Sequence, residues 1–458
     1  MITNLIHKCK AIYIKNVKQF LTGFMDKIGR NTNMTYLNRI TDKILQDKMG
    51  AFGAVNIVGP KGCGKTTTGK HFSKSYIEFQ DEDKRDNYLL IANTQPSDLL
   101  IGEKPRLFDE WQDAPKIWGA IRKDIDDNNL VGQYILTGSS SKAVDTPHTG
   151  TLRISKLKMY PLSLYESNES NGQISIIDLF NKKDMNSCHS DLTINDIKYV
   201  ICRGGWPASI NAKTKDSSLL IAKDLFNQTY ETDISNIDKV KRNPNIAKTI
   251  LKSYARNICT MADTNTILSD VNATIELSRP SYYDYINALE QLFIIEDIEA
   301  WTPNIRSKTS IRSKKKRNFI DPSIATGALG ISPEYFNTDY MTLGFLFESL
   351  CIRDLKIYTS KFNGSISYYH DRFGIEADAV LHLDDGRYAI LEFKLGESEV
   401  EKASAHLCKI EQLIDDHNKN NKKSPIRKPD LKIIITATEY GYKRDDEVFV
   451  IPIGCLSP

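Results

Sequence analysis

The sequence predicts an α/β multidomain protein, and three observations carry that expectation. At 458 residues the chain exceeds what one ordinary hydrophobic core supports, so two or three domains are expected. The apolar run Val55-Asn56-Ile57-Val58 breaks into a glycine-rich turn ahead of a helix-permissive stretch, the order of a strand, a tight loop and a helix. Short strand-like runs recur between helical stretches, early at Arg106–Asp109 and Gln133–Thr137 and late at Ser365–Tyr369, Ala377–Leu383 and Tyr388–Lys394.

Composition narrows the class. Apolar residues make up 40% and charged residues 26%, ordinary for a globular protein, and a net charge of +3 is too small to name a partner. Eight cysteines without paired spacing make no disulfide framework, and no C-x-x-C pair or Cys/His cluster suggests zinc. Residues 1–35 form an N-terminal extension whose Leu5, Ile12, Ile14, Val17, Phe20, Leu21 and Phe24 fit an amphipathic helix. Lys8, Lys10, Lys15 and Lys18 interrupt its apolar residues, so neither a signal peptide nor a membrane span is expected, and the chain reads as cytoplasmic.

The turn after Val58 is Gly59-Pro60-Lys61-Gly62-Cys63-Gly64-Lys65-Thr66-Thr67, the P-loop pattern Gly-x-x-x-x-Gly-Lys-Thr in its strand–loop–helix setting. Glycines let the backbone curl until several N–H groups face one spot, and the helix behind adds its positive dipole end. The expected ligands are ATP and Mg²⁺, with Lys65 on the β- and γ-phosphates and the Thr66 hydroxyl on the metal. Cys63 fits as a small residue at a permissive position. A helix is expected ahead of the loop, over Tyr36 to Lys48.

Such a site also needs an apolar strand ending in acids. Arg106-Leu107-Phe108-Asp109-Glu110 supplies it, expected as a strand adjacent to that of the P-loop. Asp109 is the metal-side acid, and Glu110 is placed to polarise the attacking water. A third strand, Gln133–Thr137, runs into Gly138-Ser139-Ser140-Ser141. Its hydroxyls, Ser139 first, either face the γ-phosphate or merely end the strand.

The chain resembles the AAA-type ATPases of bacteria and archaea that carry a C-terminal domain of unknown function. The likeness runs from about Tyr36 to about Leu413. Its carriers are the P-loop, Phe108-Asp109-Glu110-Trp111-Gln112-Asp113-Ala114-Pro115, Ile135-Leu136-Thr137-Gly138-Ser139-Ser140, Tyr160-Pro161-Leu162-Ser163-Leu164, Gly204-Gly205-Trp206-Pro207 and Phe319-Ile320-Asp321-Pro322. The resemblance implies an ATPase core over 36–165 and a helical lid with linker over 166–240. It also implies that Arg153 senses the γ-phosphate, sometimes across a subunit boundary. The glycine that usually precedes this arginine is here Leu152.

Residues 241–318 read as a winged helix. Three helices end with one that begins at Ser278-Arg279-Pro280 and gathers Tyr282, Tyr285, Ile286, Leu289 and Leu292 on one face. A strand at Phe293–Ile298 follows, then Arg306, Lys308, Arg312, Lys314, Lys315, Lys316 and Arg317 with no acid between them. This basic wing could neutralise DNA or RNA phosphates, or serve as a solvated loop.

Residues 319–458 present a second acid set. In Ile390-Leu391-Glu392-Phe393-Lys394 the period of two puts Glu392 and Lys394 on one strand face, and Asp378 belongs to the neighbouring strand of a hairpin. The order resembles the restriction-endonuclease-like superfamily with its Asp…Glu-x-Lys signature. That resemblance implies Glu348 as the helix acid, Asp378 and Glu392 as metal ligands and Lys394 as the catalytic lysine. The leading reading is an ATP-hydrolysing switch coupled to this nuclease-like module. The alternatives are an ATP-gated, metal-dependent nuclease, or a non-catalytic scaffold controlled by nucleotide.

Overall fold

The computed structural model describes residues 36–139, 150–183, 185, 187–303, 313–371, 374–423 and 425–458. The helix expected in the N-terminal extension lies outside them, as do Ser140, Ser141, Arg306, Lys308 and Arg312.

The first sheet begins after α1 (Ile40–Ala51). Then come β1 (Ala54–Val58), α2 (Lys65–Phe72), β2 (Ser75–Glu78), α3 (Arg85–Thr94), β3 (Arg106–Asp109), α4 (Lys116–Asn128), β4 (Tyr134–Gly138) and β5 (Ile154–Lys158). The five strands are parallel, in the order β2-β3-β4-β1-β5. Helices cover such a sheet on both faces, so its central strands can be apolar throughout; β1 and β4 are buried at every position. Helix α4 sets Ile117, Ile121 and Ile125 against the sheet at a spacing of one helical turn. The topology departs from expectation in one respect. β4 lies between β1 and β3, so the acid-bearing strand is one place removed from the P-loop strand rather than adjacent.

The next segment is divided between two neighbours. β6 (Ile174–Ser175), α5 (Ile176–Phe180) and β7 (Cys188–His189) lie within the stretch expected as lid and linker. β6 pairs with the last strand of the chain, and β7 joins the C-terminal sheet. Helices α6 (Ile194–Arg203), α7 (Pro207–Ile210) and α8 (Lys215–Gln228) follow. Thr193 and Asp196 form a reciprocal cap at the start of α6. Gly204, at φ 72°, ends it. Gly205 admits no side chain, because a Cβ there would stand 2.1 Å from the Leu162 carbonyl oxygen. The stretch Tyr230 to Asp238, expected as a plain link, contains helical turns at Thr229–Asp233 and Ile234–Asn236.

Three helices come next, α9 (Pro244–Arg256), α10 (Thr264–Asn272) and α11 (Arg279–Gln291), capped by Asn243, Asp263 and Ser278. Tyr282, Tyr285, Ile286 and Leu289 are buried on one face of α11. The strand expected at Phe293–Ile298 is reduced to single antiparallel bridges, Ile295 to Phe319 and Ile298 to Lys316. The basic wing is also altered. Lys314 pairs with Asp263, Lys315 with Glu299, Lys316 with Glu348 and Arg317 with Asp297. Lys316 and Arg317 are thus turned inward, because acids distant in sequence meet them.

After α12 (Pro322–Leu329) comes α13 (Tyr340–Thr359). The chain continues with β8 (Gly364–His370), β9 (Glu376–Leu383), β10 (Tyr388–Lys394), α14 (Val400–Asn420), β11 (Leu431–Thr436), β12 (Tyr440–Lys443), β13 (Val448–Pro452) and β14 (Leu456–Ser457), which pairs with β6 apart from the C-terminal sheet. Seven strands run β7-β12-β13-β11-β10-β9-β8, with the pairs β10–β11 and β11–β13 parallel and the rest antiparallel. α14 is the crossover that parallel β10 and β11 require. Among the described residues no helix is long and apolar enough to cross a membrane.

From Leu346 to Leu355 every side chain of α13 is buried, including Glu348, Arg353 and Asp354. Charges so placed must be paired. Arg353 binds Asp321 at 2.9 Å and Asp354 at 2.7 Å. Asp354 accepts the Leu164 amide at 2.9 Å, and Asp321 accepts the Gly205 amide at 3.0 Å. Three separate sequence motifs, around Leu164, Gly205 and Asp321, therefore meet at one guanidinium. Removing one partner of a buried ion pair leaves the other charge uncompensated. Arg353→Ala should lower stability by about 3–5 kcal/mol, read by denaturant unfolding of the full chain, whereas Lys43→Ala, in an exposed pair with Asp47, should change it by well under ~1 kcal/mol.

Candidate nucleotide site and C-terminal acid cluster

Because β1, β3 and β4 are parallel, their carboxyl ends open on the same edge. Ligands bind at that edge in open α/β sheets. β1 delivers the loop Gly59 to Gly64, β3 delivers Asp109 and Glu110, and β4 delivers Thr137 and Ser139. Gly62 and Gly64 take φ values of 80° and 102°, which close the loop on the start of α2. Cys63 is fully buried beneath it, its thiol directed at the Met159 carbonyl, so this position fills core space.

Lys65 is 5% exposed and donates to the Pro60 carbonyl across its own loop at 2.9 Å. The Thr66 hydroxyl donates to Asp109 Oδ1 at 2.8 Å, and Thr137 donates to the same oxygen. A hydroxyl and a carboxylate in contact beside a P-loop are hard oxygen donors of the kind Mg²⁺ takes, so Thr66 and Asp109 fit that ion. Glu110 stands next to them in a left-handed conformation, φ 51°. Its carboxylate accepts from the Ser139 hydroxyl, the Ser139 amide at 3.3 Å and the Gln112 side chain. Burial raises the Glu110 pKa above the usual carboxylate value, while the Ser139 hydroxyl and Lys65 pull it down. Ser139 is thereby engaged with Glu110. Lys61, on the loop exterior, pairs with Asp233 at 3.2 Å.

Arg153 lies elsewhere. It precedes β5, where its carbonyl accepts from Ala54 at the start of β1, the end of the sheet opposite the P-loop. Its guanidinium pairs with Asp126 at 2.6 Å. Within one chain it is not beside Lys65 or Glu110, so any contribution to that site requires a second chain. Leu152 adopts φ 66° and is 78% exposed, occupying the left-handed conformation that suits a glycine at that place.

Arg39 is a functional candidate that sequence reasoning missed. Its guanidinium is buried behind the P-loop, donating to the Cys63 carbonyl at 2.9 Å and the Tyr160 carbonyl at 2.7 Å. Glu166 binds it at 3.1 Å and also accepts the Ile40 and Ser163 amides. One arginine thus ties the P-loop backbone to the turn after β5. An arginine ahead of a helix carries no sequence signal for this role; only the pairing across 127 positions reveals it.

In the C-terminal domain the register places Leu391 opposite Ala379, which sets Asp378 beside Glu392. Lys394 reaches Glu392 at 2.8 Å and Asp378 at 3.7 Å. Asp378 also accepts the Phe393 amide at 2.9 Å, and Glu392 meets His406 at 2.8 Å. Glu348, on α13, is paired with Lys316 at 2.9 Å. The structure brings together all four residues expected from sequence and adds Lys316 and His406. Burial pushes the Glu348 carboxyl up to about 7, against the pull of Lys316, and burial raises Glu392 as well. Among the described residues no group of three or more His, Cys, Asp or Glu is arranged to hold a metal ion.

Residues 51–168 match the AAA domain family. Residues 194–335 match a domain of unknown function (DUF8612), and residues 343–456 another (DUF4143). No curated protein matches the chain. Among solved structures, the Walker-type ATPase PABY2304 of Pyrococcus abyssi is 11% identical at a TM-score of 0.40, covering 65% of this chain and 97% of that one. A DNA replication initiation factor is 13% identical at a TM-score of 0.19, covering 55% and 86%. Neither likeness is close enough to carry a conclusion. Residues 51–168 thus combine a match to the AAA domain family with the P-loop and parallel sheet that support a nucleotide-binding ATPase core.

If Arg39 holds the loop in shape, Arg39→Ala should weaken nucleotide binding about tenfold or more, equivalent to ~1.4 kcal/mol. Titration with a fluorescent ATP analogue checks this, and unchanged affinity in a folded variant would count against the role.

Proposed function

We propose that the chain is an ATP-hydrolysing switch whose nucleotide domain acts on a nuclease-shaped C-terminal module. The observation that carries the reading is the meeting of the P-loop threonine with the strand-end acid, Thr66 on Asp109 at 2.8 Å, with Glu110 alongside. Lys65 would bind the β- and γ-phosphates. Thr66 and Asp109 would hold Mg²⁺, which when bound supplies charge neutralisation at the phosphates. Glu110 would accept the proton of the attacking water. To do so it must leave Ser139 and Gln112, which now occupy its carboxylate.

The finer domain reading is also ours: lid and linker at 166–240, winged helix at 241–318 and a restriction-endonuclease-like fold at 319–458. Three capped helices followed by two antiparallel bridges support the winged helix. A helix, an antiparallel three-strand run and a crossover to a parallel strand support the nuclease-like fold. The inward ion pairs of Lys316 and Arg317 favour a packing role for these two over phosphate contact, while Lys314 and Lys315 stay on the surface. We read the protein as cytoplasmic, with nucleotide as its ligand.

Lys65→Ala should abolish ATP binding, and Glu110→Gln should bind ATP but hydrolyse it at least ~100-fold more slowly. Single-turnover assays on purified protein check both; intact turnover in Glu110→Gln would remove that residue from its role.

A second outcome concerns pH. Glu110 works as a base only when ionised, and its raised pKa in the free enzyme places the acid limb of kcat/KM above the ordinary glutamate range. The Ser139 hydroxyl lowers that pKa, so Ser139→Ala should move the limb to higher pH. A kcat/KM–pH profile of the two proteins measures the displacement and its sign.

A further inference from the structure

The C-terminal acid cluster has the residue types of a metal-dependent nuclease but not the vacancies. Its three carboxylates, Glu348, Asp378 and Glu392, face two ammonium groups and an imidazole: Lys316 on Glu348, Lys394 on Glu392 and Asp378, and His406 on Glu392. Asp378 gives one oxygen to the Phe393 amide as well. The Lys316 side chain is only 5% exposed, and its ammonium lies 2.9 Å from Glu348 Oε1 and 3.4 Å from the Asp378 carbonyl oxygen. A carboxylate and a main-chain carbonyl are oxygen donors of the kind hard divalent ions take.

We propose that Lys316 is a built-in cation that takes the place of a divalent ion at Glu348 and the Asp378 carbonyl oxygen, closing that side of the acid cluster to metal, while Lys394 and His406 answer the Asp378 and Glu392 carboxylates. The lysine is brought there by the wing. Its backbone pairs in both directions with Ile298, and its ammonium lies 5.5 Å from the Tyr368 ring centre. It is not free to swing as a surface lysine would be. A tethered charge has no dissociation constant to satisfy, so it excludes a free ion that must both displace it and shed its own water. The lysine comes from outside the β8–β10 hairpin and α13 that supply the acids, so the domain's own signature cannot report the closure.

The proposal does not depend on the ATPase reading, and the test separates them. Nucleotide-free full-length protein carrying Asp109→Asn, which removes the metal-side acid of the P-loop, is titrated with Mn²⁺ and the free ion is followed by electron paramagnetic resonance. This parent should bind no Mn²⁺ in a Glu348-dependent manner up to about 1 mM. Adding Lys316→Ala should create about one Mn²⁺ site per chain in the same range, and further adding Glu348→Gln should abolish it. Should Lys316→Ala not fold, Lys316→Met, which keeps most of the side-chain volume, replaces it. Mn²⁺ binding by the parent that disappears with Glu348→Gln would overturn the proposal, as would a folded Lys316 variant that gains no ion.

Discussion

A helix buried on every side cannot carry unpaired charge, and α13 carries three ionisable residues in its enclosed stretch, Glu348, Arg353 and Asp354. Each must find a partner before the helix can be covered. Arg353 finds Asp321 and Asp354; Asp354 finds the Leu164 amide; Glu348 finds Lys316. These partners come from the turn after β5, the segment before α12 and the wing. The helix therefore dictates how the surrounding elements meet it. A second such junction forms at Glu296, which receives Lys158 from β5, Tyr160 from the turn after it and Lys356 from α13.

This arrangement puts the two charged centres at the ends of a short physical series. From the P-loop, the Cys63 carbonyl is held by Arg39, Arg39 by Glu166, and Glu166 by the Ser163 amide. The next amide, Leu164, belongs to Asp354 on α13, and Glu348 lies less than two helical turns earlier on the same helix. Hydrogen bonds and ion pairs thus run in an unbroken series from the P-loop backbone to α13.

The motifs local to one element were legible in the sequence. The P-loop, the acids ending β3 and the strands β8 to β10 emerge from spacing and periodicity, because the forces that define them act within a few residues. The Glu-x-Lys pair could be placed on one face of β10 for the same reason. What spacing could not reveal were relations across the chain. The insertion of β4 between β1 and β3, the reduction of the wing to single bridges, the pairing of β6 with β14 and the addition of β7 to the C-terminal sheet all depend on remote partners. Arg153 illustrates the difference: a resemblance assigned it to the γ-phosphate, but β5 runs parallel to β1 and carries its start to the far end of the sheet.

By itself, then, the sequence determined that a phosphate-binding loop exists, that acids end a nearby strand and that a second acid set lies on a later hairpin. Each is written in consecutive residues whose backbone geometry is local. Only the tertiary structure decided what neutralises those acids and what grips the loop. Lys316 and Arg39 look from sequence like one cation among several in a basic run and an arginine ahead of a helix. Burial against distant carboxylates and carbonyls gives them their places, since a charge taken out of water must be answered by whatever the fold brings beside it.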